Sequence, residues 1–257
     1  MDLLSDEWTR DLLLRPLLFV ALAALFFMPL EHLFGNRQQK RPDLQTDLWF
    51  ATLGQLLMRA GLVLGLGALL MWADPLGLDK PLWAQIANRP LRLTLEIGSG
   101  LLVFELIGYL MHRLGHALPL LWRLHRVHHS AQHLDWLTGF RQHPLEALLW
   151  ATAQNLPLVL LGLPLGTHAG ILLLLKLNTA FVHSNLPVRP QQLAHLLATP
   201  HFHHRHHALN GKPANFATLF PFVDRIFGTH CSQTARDFGV TEPVPRGFVR
   251  LLLWPLR

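Results

Sequence analysis

Residues 111–130 read MHRLGHALPLLWRLHRVHHS, and residues 201–207 read HFHHRHH. Within them histidines recur at helical spacing: His112 and His116, then His125, His128 and His129, then His203, His206 and His207. Residues i and i+4 share a helix face, as do i and i+3, so each cluster aims two or three imidazoles at one point. These eight rings exceed what one zinc takes, because a structural zinc site closes with four ligands. A cage shared by two metal ions is the simpler reading. Cys231 is the single cysteine, which excludes an internal disulfide and a cysteine-held iron–sulfur cluster. The ligands must therefore be nitrogen or oxygen.

Around these clusters the chain reads as a membrane protein. Of its 257 residues 51% are hydrophobic and only 15% charged. The formal charge of +6 fits cytosolic loops under the positive-inside bias. The basic residues are scattered and no recognition motif accompanies them, so no nucleic-acid partner is expected. The N-terminus lacks the basic start of a secretory signal, so the first apolar run, Leu12 to Phe34, is expected to stay as an anchor. Asn36 to Thr46 is a polar loop placed in the cytosol by Arg37, Lys40 and Arg41. Leu48 to Ala73 is a second span with Arg59 near its middle. Two readings of Arg59 stay open: the crossing starts near it, or it faces the bundle and meets a polar substrate head or a carboxylate. Asp74 to Pro90 is then an external loop. Thr94 to Met111 returns to the cytosol and delivers His112 and His116 to the inner face.

Two further apolar stretches, Leu145–Leu161 and His168–Leu186, flank a turn at Gly162-Leu-Pro-Leu-Gly166. Each has about 17 to 19 residues, near the lower limit for a crossing, and Lys176 sits inside the second. A hairpin that starts and ends in the cytosol puts the third cluster beside the first two. Gly211 to Arg257 is a cytosolic tail whose last apolar stretch, flanked by arginines, reads as an interfacial anchor. The expectation is an all-α, helical transmembrane bundle of about four to five membrane helices, with a cytosolic helical cap carrying the histidine cage. Residues 1–93 form membrane anchor helices, 94–230 the domain with the two-metal site, and 231–257 a C-terminal tail. The expected location is the inner or plasma membrane, with the site facing the cytosol.

Imidazole suits iron, zinc, copper and nickel, so ligand type alone does not choose the metal. A hydrolytic two-metal site usually includes bridging carboxylates, and the clusters hold no Asp or Glu at ligand spacing. An all-histidine cage at a membrane face suits oxygen activation on an apolar substrate, whose C–H bond offers nothing to an acid or base. Glu105 and Tyr109 fall near the helix face of His112 and are the candidate catalytic residues. Glu105 either holds a ligand imidazole by its other nitrogen or is a packing carboxylate paired with an arginine. His204 should point away from the cage. His195 and His201 are ligands only if the third cluster is not helical there. His133 and His143 are expected to bond ligand rings or a backbone carbonyl, and His32, His168 and His230 are ordinary polar positions at interfaces or loop ends. Ser130 and Ser184 adjoin histidines, but no elbow motif or ordered Asp makes a nucleophilic triad, so they are expected to hydrogen-bond to the cage.

Larger motifs give a family resemblance. Glu105-x-x-x-Tyr109-x-x-His112-Arg113-x-x-His116, followed by His125-x-x-His128-His129-Ser130, resembles the sterol desaturase/fatty acid hydroxylase superfamily. Arg141-x-His143-Pro144-x-Glu146, His183-Ser184-Asn185, Thr199-Pro200 before the third cluster, and Asp224-Arg-Ile-Phe-Gly-Thr229 are similar to later family segments, in the right order. The likeness covers about residues 96 to 230. It implies a helical membrane protein with a cytosolic cage of two irons, or zinc as a substitute metal. It also implies O2-dependent hydroxylation or desaturation of a lipid, with electrons from an external ferredoxin or cytochrome b5-like carrier. The ligand set it implies is His112, His116, His125, His128, His129, His183, His203, His206 and His207; His183 enters through the resemblance alone. The chain departs from the family pattern at Glu105 for Asp, Leu110 for Trp, and Asn215-Phe-Ala for Asn-Tyr-Gly. Hydroxylation is favoured over desaturation, because it needs one hydrogen abstraction rather than two. The competing readings are a membrane zinc transporter and a zinc-dependent lipid hydrolase.

Overall fold

A computed structural model describes residues 14–35, 41, 43–61, 83, 85–160, 162–163, 165–188 and 193–257. It is all-helical. Among the described residues there is no strand, only an isolated antiparallel bridge between Ala208 and Phe238. Helix α1 spans Arg15–Phe34. Helix α2, Leu44–Trp49, runs through a π-turn at Phe50–Gly54 into helix over residues 55–61. The rest of the expected second span and most of the expected external loop lie outside the described residues, as do Arg37 and Lys40. The principal helices that follow are α3 (Arg89–Ala117), α4 (Pro119–His129), α5 (Pro144–Leu160) and α6 (Leu165–His183). Short helices complete the cap: α7 (Leu193–Leu196), α8 (Pro200–His206), α9 (Phe222–Ile226) and α10 (Phe248–Leu252).

Helices α1 and α3 are long and apolar enough to cross a bilayer. Leu25, Phe26, Leu33 and Phe34 of α1 are exposed, a surface suited to lipid. Helices α5 and α6 form the expected hairpin. Its turn is closed by Gly162 at φ 64°, with Leu163 N–H on the Leu158 carbonyl and Gly162 N–H on that of Val159, a left-handed helix cap that suits glycine.

Local sequence sets the angle between the two helices that carry the first two histidine clusters. Asn88 caps α3 by accepting Leu91 N–H at 3.0 Å. Pro119 then forbids helical geometry at Leu118, which sits extended at φ −99°, ψ 122°. Pro119 itself opens α4, where its missing N–H is not needed. The chain breaks and turns within one residue, so α4 folds back beside the end of α3. Helix α8 starts on the same logic, with Thr199 as cap and Pro200 in its first turn.

Apolar clusters lock these elements. Phe104, Leu158, Leu163, Ile171 and Leu175 join α3, α5 and α6. Val20, Ala23 and Phe27 of α1 pack on Trp136, Leu137, Phe140 and Ala180. Ion pairs tie α1 and α2 to the cap: Arg41 bridges Glu31 at 2.8 Å and Asp135 at 3.2 Å, and buried Arg141 meets Asp47 at 2.5 Å. The C-terminal segment packs as well. Phe248, Leu251 and Trp254 are buried against Phe50 and Val127, while Val249, Leu253 and Leu256 face outward.

Candidate metal centre

The cage is assembled from four helices. Helix α3 supplies His112 and His116, α4 supplies His125, His128 and His129, α6 supplies His183, and α8 with its C-cap supplies His203, His206 and His207. The rings converge in two groups. His112, His116, His125, His129 and His206 form one, and His128, His183, His203 and His207 the other; within each, the ligand nitrogens lie within 4.8 Å of one another. The groups adjoin, with the rings of His129 and His207 centred 4.4 Å apart.

Hydrogen bonds fix which nitrogen carries the proton in four of the rings. The Nδ1 atoms of His112, His128, His183 and His206 lie 2.8–3.1 Å from the carbonyls of Phe216, Arg141, Thr179 and Ala214. A carbonyl oxygen only accepts, so each Nδ1 is protonated and, in a neutral ring, each Nε2 is a bare lone pair. Burial, reinforced by the neighbouring rings, holds His125, His128, His129, His203, His206 and His207 well below the ordinary imidazole range, so these rings are neutral. The consequence is sharpest at His128 and His183. Their Nε2 atoms face each other at 3.2 Å with no proton between them. His112 Nε2 is buried without a hydrogen-bond partner among the described residues. Lone pairs pointed at one another repel unless a cation lies between them. The donor set therefore fits metal ions, and a protonated, anchored Nδ1, as in His112, His128, His183 and His206, leaves Nε2 in the form in which histidine ligates.

Of the carboxylates, Glu146 supports the cage directly. It is fully buried at the start of α5 and receives His125 Nδ1 at 2.5 Å. Glu105 reaches no ring. Its oxygens accept the N–H groups of Thr218, Leu219 and Phe220 at 2.9–3.2 Å. Tyr109 donates to Thr229 Oγ1 at 2.9 Å, because that hydroxyl gives its own proton to Asp224 at 2.6 Å. Asp224 in turn accepts Phe216 and Ala217 N–H. Glu105 and Tyr109 thus brace residues 214–229, the segment whose carbonyls hold His112 and His206. Asn215 shapes it too: φ is 59°, tolerable for asparagine, and its amide is fastened to Phe202 and Cys231.

The sequence had assigned no role to Glu146, Arg141, Asn215 or Asp224, although all four lie in or beside motif segments. His204 points away from the cage, to the carbonyl of His183 at 3.2 Å. Helix α8 is regular at His201, and His195 is exposed. Of the two expected partners His143 takes the backbone carbonyl, that of Leu252 at 3.1 Å, and His133 stands 3.9 Å from Asp47 and Asp135. Ser130 donates to the Val127 carbonyl, and Ser184 Oγ is buried without a partner among the described residues. Aromatic rings wall the cage: Trp122 over His116 and His129, Trp150 stacked on His125, and Phe216 edge-on to His112, His116 and His206.

A cavity of about 680 Å³ runs from the cage between the membrane helices. His112, His125, His128, His183 and His203 close one end, and Phe104, Leu172, Leu175 and Val182 line its wall.

Fold and site together define a class: helical, membrane-type proteins that gather a buried histidine cage at the end of an apolar cavity. Within that class, the chain belongs to the fatty acid hydroxylase family, whose model matches residues 97–229. It is similar to the ornithine lipid hydroxylase OlsE of Rhizobium tropici, 30% identical over 172 residues, which is 63% of this chain and 51% of that protein. It is also similar to alkylglycerol monooxygenase of Danio rerio and of Homo sapiens, 29% and 28% identical over 140 residues, 53% of this chain and 31% of each relative. The chain therefore spans about half the length of the first relative and under a third of the others. No solved structure matches.

Proposed function

We propose that this protein is an integral membrane di-iron oxygenase that hydroxylates an aliphatic C–H bond of a lipid, using O2 and electrons from a separate carrier. The carrying observation is the pair of nitrogen groups whose lone pairs converge at the end of an apolar cavity. In this reading the nine histidines are the ligands, five to one ion and four to the other. Iron bound there supplies the O2 activation that an unactivated C–H bond requires. The protein's own residues do the rest. The carbonyls of Phe216, Arg141, Thr179 and Ala214 hold each Nδ1 proton in place, and Glu146 anchors His125. Apolar side chains from α3 and α6 exclude water and align the chain to be oxidised.

The competing readings fare worse. The histidines form one buried cage rather than a file across the membrane, which disfavours transport. No carboxylate belongs to either group, which disfavours a hydrolytic centre. The choice of iron over zinc rests on the same donor set, and the carrier would be a ferredoxin or a cytochrome b5-like protein. We place the protein in the inner or plasma membrane with the cage facing the cytosol, on the arginines beside it, Arg113, Arg123 and Arg126. The test is metal analysis of the purified protein, together with lipid mass spectrometry of cells with and without it under ¹⁸O2. About two irons per chain and a lipid gaining one labelled oxygen are expected. Zinc alone, with an unchanged lipid profile, overturns the reading.

A further inference from the structure

One edge of the cage reaches the surface away from the lipid cavity. Of the nine cage histidines, only His112 and His116 are not fully buried. His112 opens on the cavity, whose described lining includes neither His116, His129 nor Trp122. His116 therefore opens elsewhere, and the Trp122 ring lies over it. That ring is itself partly exposed, and its centre is 5.1 Å from that of His116 and 5.6 Å from that of His129. Both histidines belong to the five-membered group. One π-system thus spans from the surface to two cage rings.

The corner that carries Trp122 suits a protein partner. Leu118 and Leu120, at the break between α3 and α4, are exposed, and so are Arg113 and Arg123 on either side of it. Among the described residues neither arginine makes an ion pair; Arg113 reaches only the Tyr109 hydroxyl, at 3.4 Å. No Asp or Glu occurs in sequence between Glu105, which is buried, and Asp135. Cations around an apolar tip complement carboxylates around an apolar patch.

We propose that an acidic one-electron carrier protein docks on the α3–α4 corner, and that its electrons reach the five-histidine group through Trp122. Each encounter oxidises one reduced carrier by one electron. Two such electrons and two solvent protons balance the hydroxylation, in which O2 and a C–H bond give a C–OH and one water. Trp122 bridges the two and is itself neither oxidised nor reduced. Lipid and electrons then arrive on different sides, so the carrier docks while the cavity is filled. The inference rests on the lipid-oxygenase reading for its purpose, but docking is measurable without turnover.

The full-length protein in phosphatidylcholine nanodiscs is titrated by calorimetry with two acidic probes, a plant-type [2Fe–2S] ferredoxin and the soluble domain of a cytochrome b5. At least one is expected to bind, with affinity that falls as salt rises. In R113E/R123E that affinity should fall at least about tenfold, while R113K/R123K keeps it. Reduction by the same carrier is then followed anaerobically and without lipid. W122L should lower the limiting rate at least about tenfold with carrier affinity unchanged, and W122F should stay within about twofold of wild type. Dithionite, small enough to reach His116 directly, should reduce all three at one rate. Wild-type protein that binds neither probe overturns the proposal, the corner then being covered by lipid. So does binding indifferent to salt, which decides even if R113E/R123E fails to fold. A W122L rate equal to wild type, or one slowed equally with dithionite, removes the role of Trp122. Iron content is read separately. Iron-free protein whose carrier binding still depends on the arginines would sink the oxygenase reading alone, and two-iron protein whose carrier binding ignores them would sink this one alone.

Discussion

Glu105 and Glu146 are both buried carboxylates near the cage, yet only one touches a ring. Glu105 sits on the His112 face of α3, and that spacing made it the candidate to hold an imidazole. A helix face fixes direction but not the neighbour, and the neighbour is a loop more than a hundred residues away in sequence. Glu146 carries no periodic signal linking it to His125, so only a motif segment hinted at it. The histidine spacing itself was legible because it is local, whereas His183, with no second cage histidine on its helix, needed the resemblance. Since Glu146 anchors His125 Nδ1, Glu146→Ala should lower metal affinity by about 10- to 100-fold, and Glu146→Gln by less, because its amide oxygen still accepts. Metal retained against a graded chelator series measures this, and unchanged retention in E146A would refute it. A paired prediction separates neighbours in α6 and α8. His183→Ala should lose about one metal ion per chain if the four-histidine group holds one. His204→Ala, which removes a bond to the His183 carbonyl and a ring contact with Phe238 but no cage nitrogen, should keep both; equal loss from the two variants would contradict the division of the cage.

At the scale of elements, the break at Leu118–Pro119 and the cap at Thr199–Pro200 follow from proline acting on the residue beside it, a local rule the sequence reading did not apply to either. The start of the second span was harder. Its helix begins at Leu44, within the expected polar loop, because Thr46 and Asp47 are buried and Asp47 meets Arg141 from across the cap. The C-terminal segment was read as an interfacial anchor. Its inward residues Phe248, Leu251 and Trp254 and outward residues Val249, Leu253 and Leu256 are all apolar, so composition could not say which face packs on the protein. Contact between elements also sets tolerances. The short turn Thr138–Phe140 lies on α6 at Gly139, where a Cβ would come 3.2 Å from the Thr179 carbonyl oxygen and 3.1 Å from His183 Nδ1. Those two atoms make the bond that sets the His183 tautomer. Gly139→Ala should therefore tilt that ring and weaken metal retention by about tenfold without unfolding the chain. Metal content beside a far-ultraviolet spectrum tests it, and retention equal to wild type would show that the turn yields instead.

Across the whole molecule, the cage draws together helices that begin at residues 89, 119, 165 and 200. Without a cation, each group leaves unprotonated nitrogens aimed at one another in a buried space, as His128 and His183 show at 3.2 Å. Folding brings these lone pairs together, so a ligand bound only by the folded chain should stabilise the entire assembly rather than one helix. The gain follows mass action, about 2.7 kcal/mol for each site when free metal is 100 times its dissociation constant. Stripping metal with a chelator should accordingly lower the unfolding temperature of the detergent-solubilised protein, and restoring iron should raise it again. The loss should appear together in α3, α4, α6 and α8 when amide hydrogen exchange is followed by segment, while α1, which carries no cage histidine, changes less. A single cooperative shift across those four helices is what a shared centre requires. An unfolding temperature indifferent to chelation, or protection lost only around His203–His207, would mean that the rings converge for packing and not for metal.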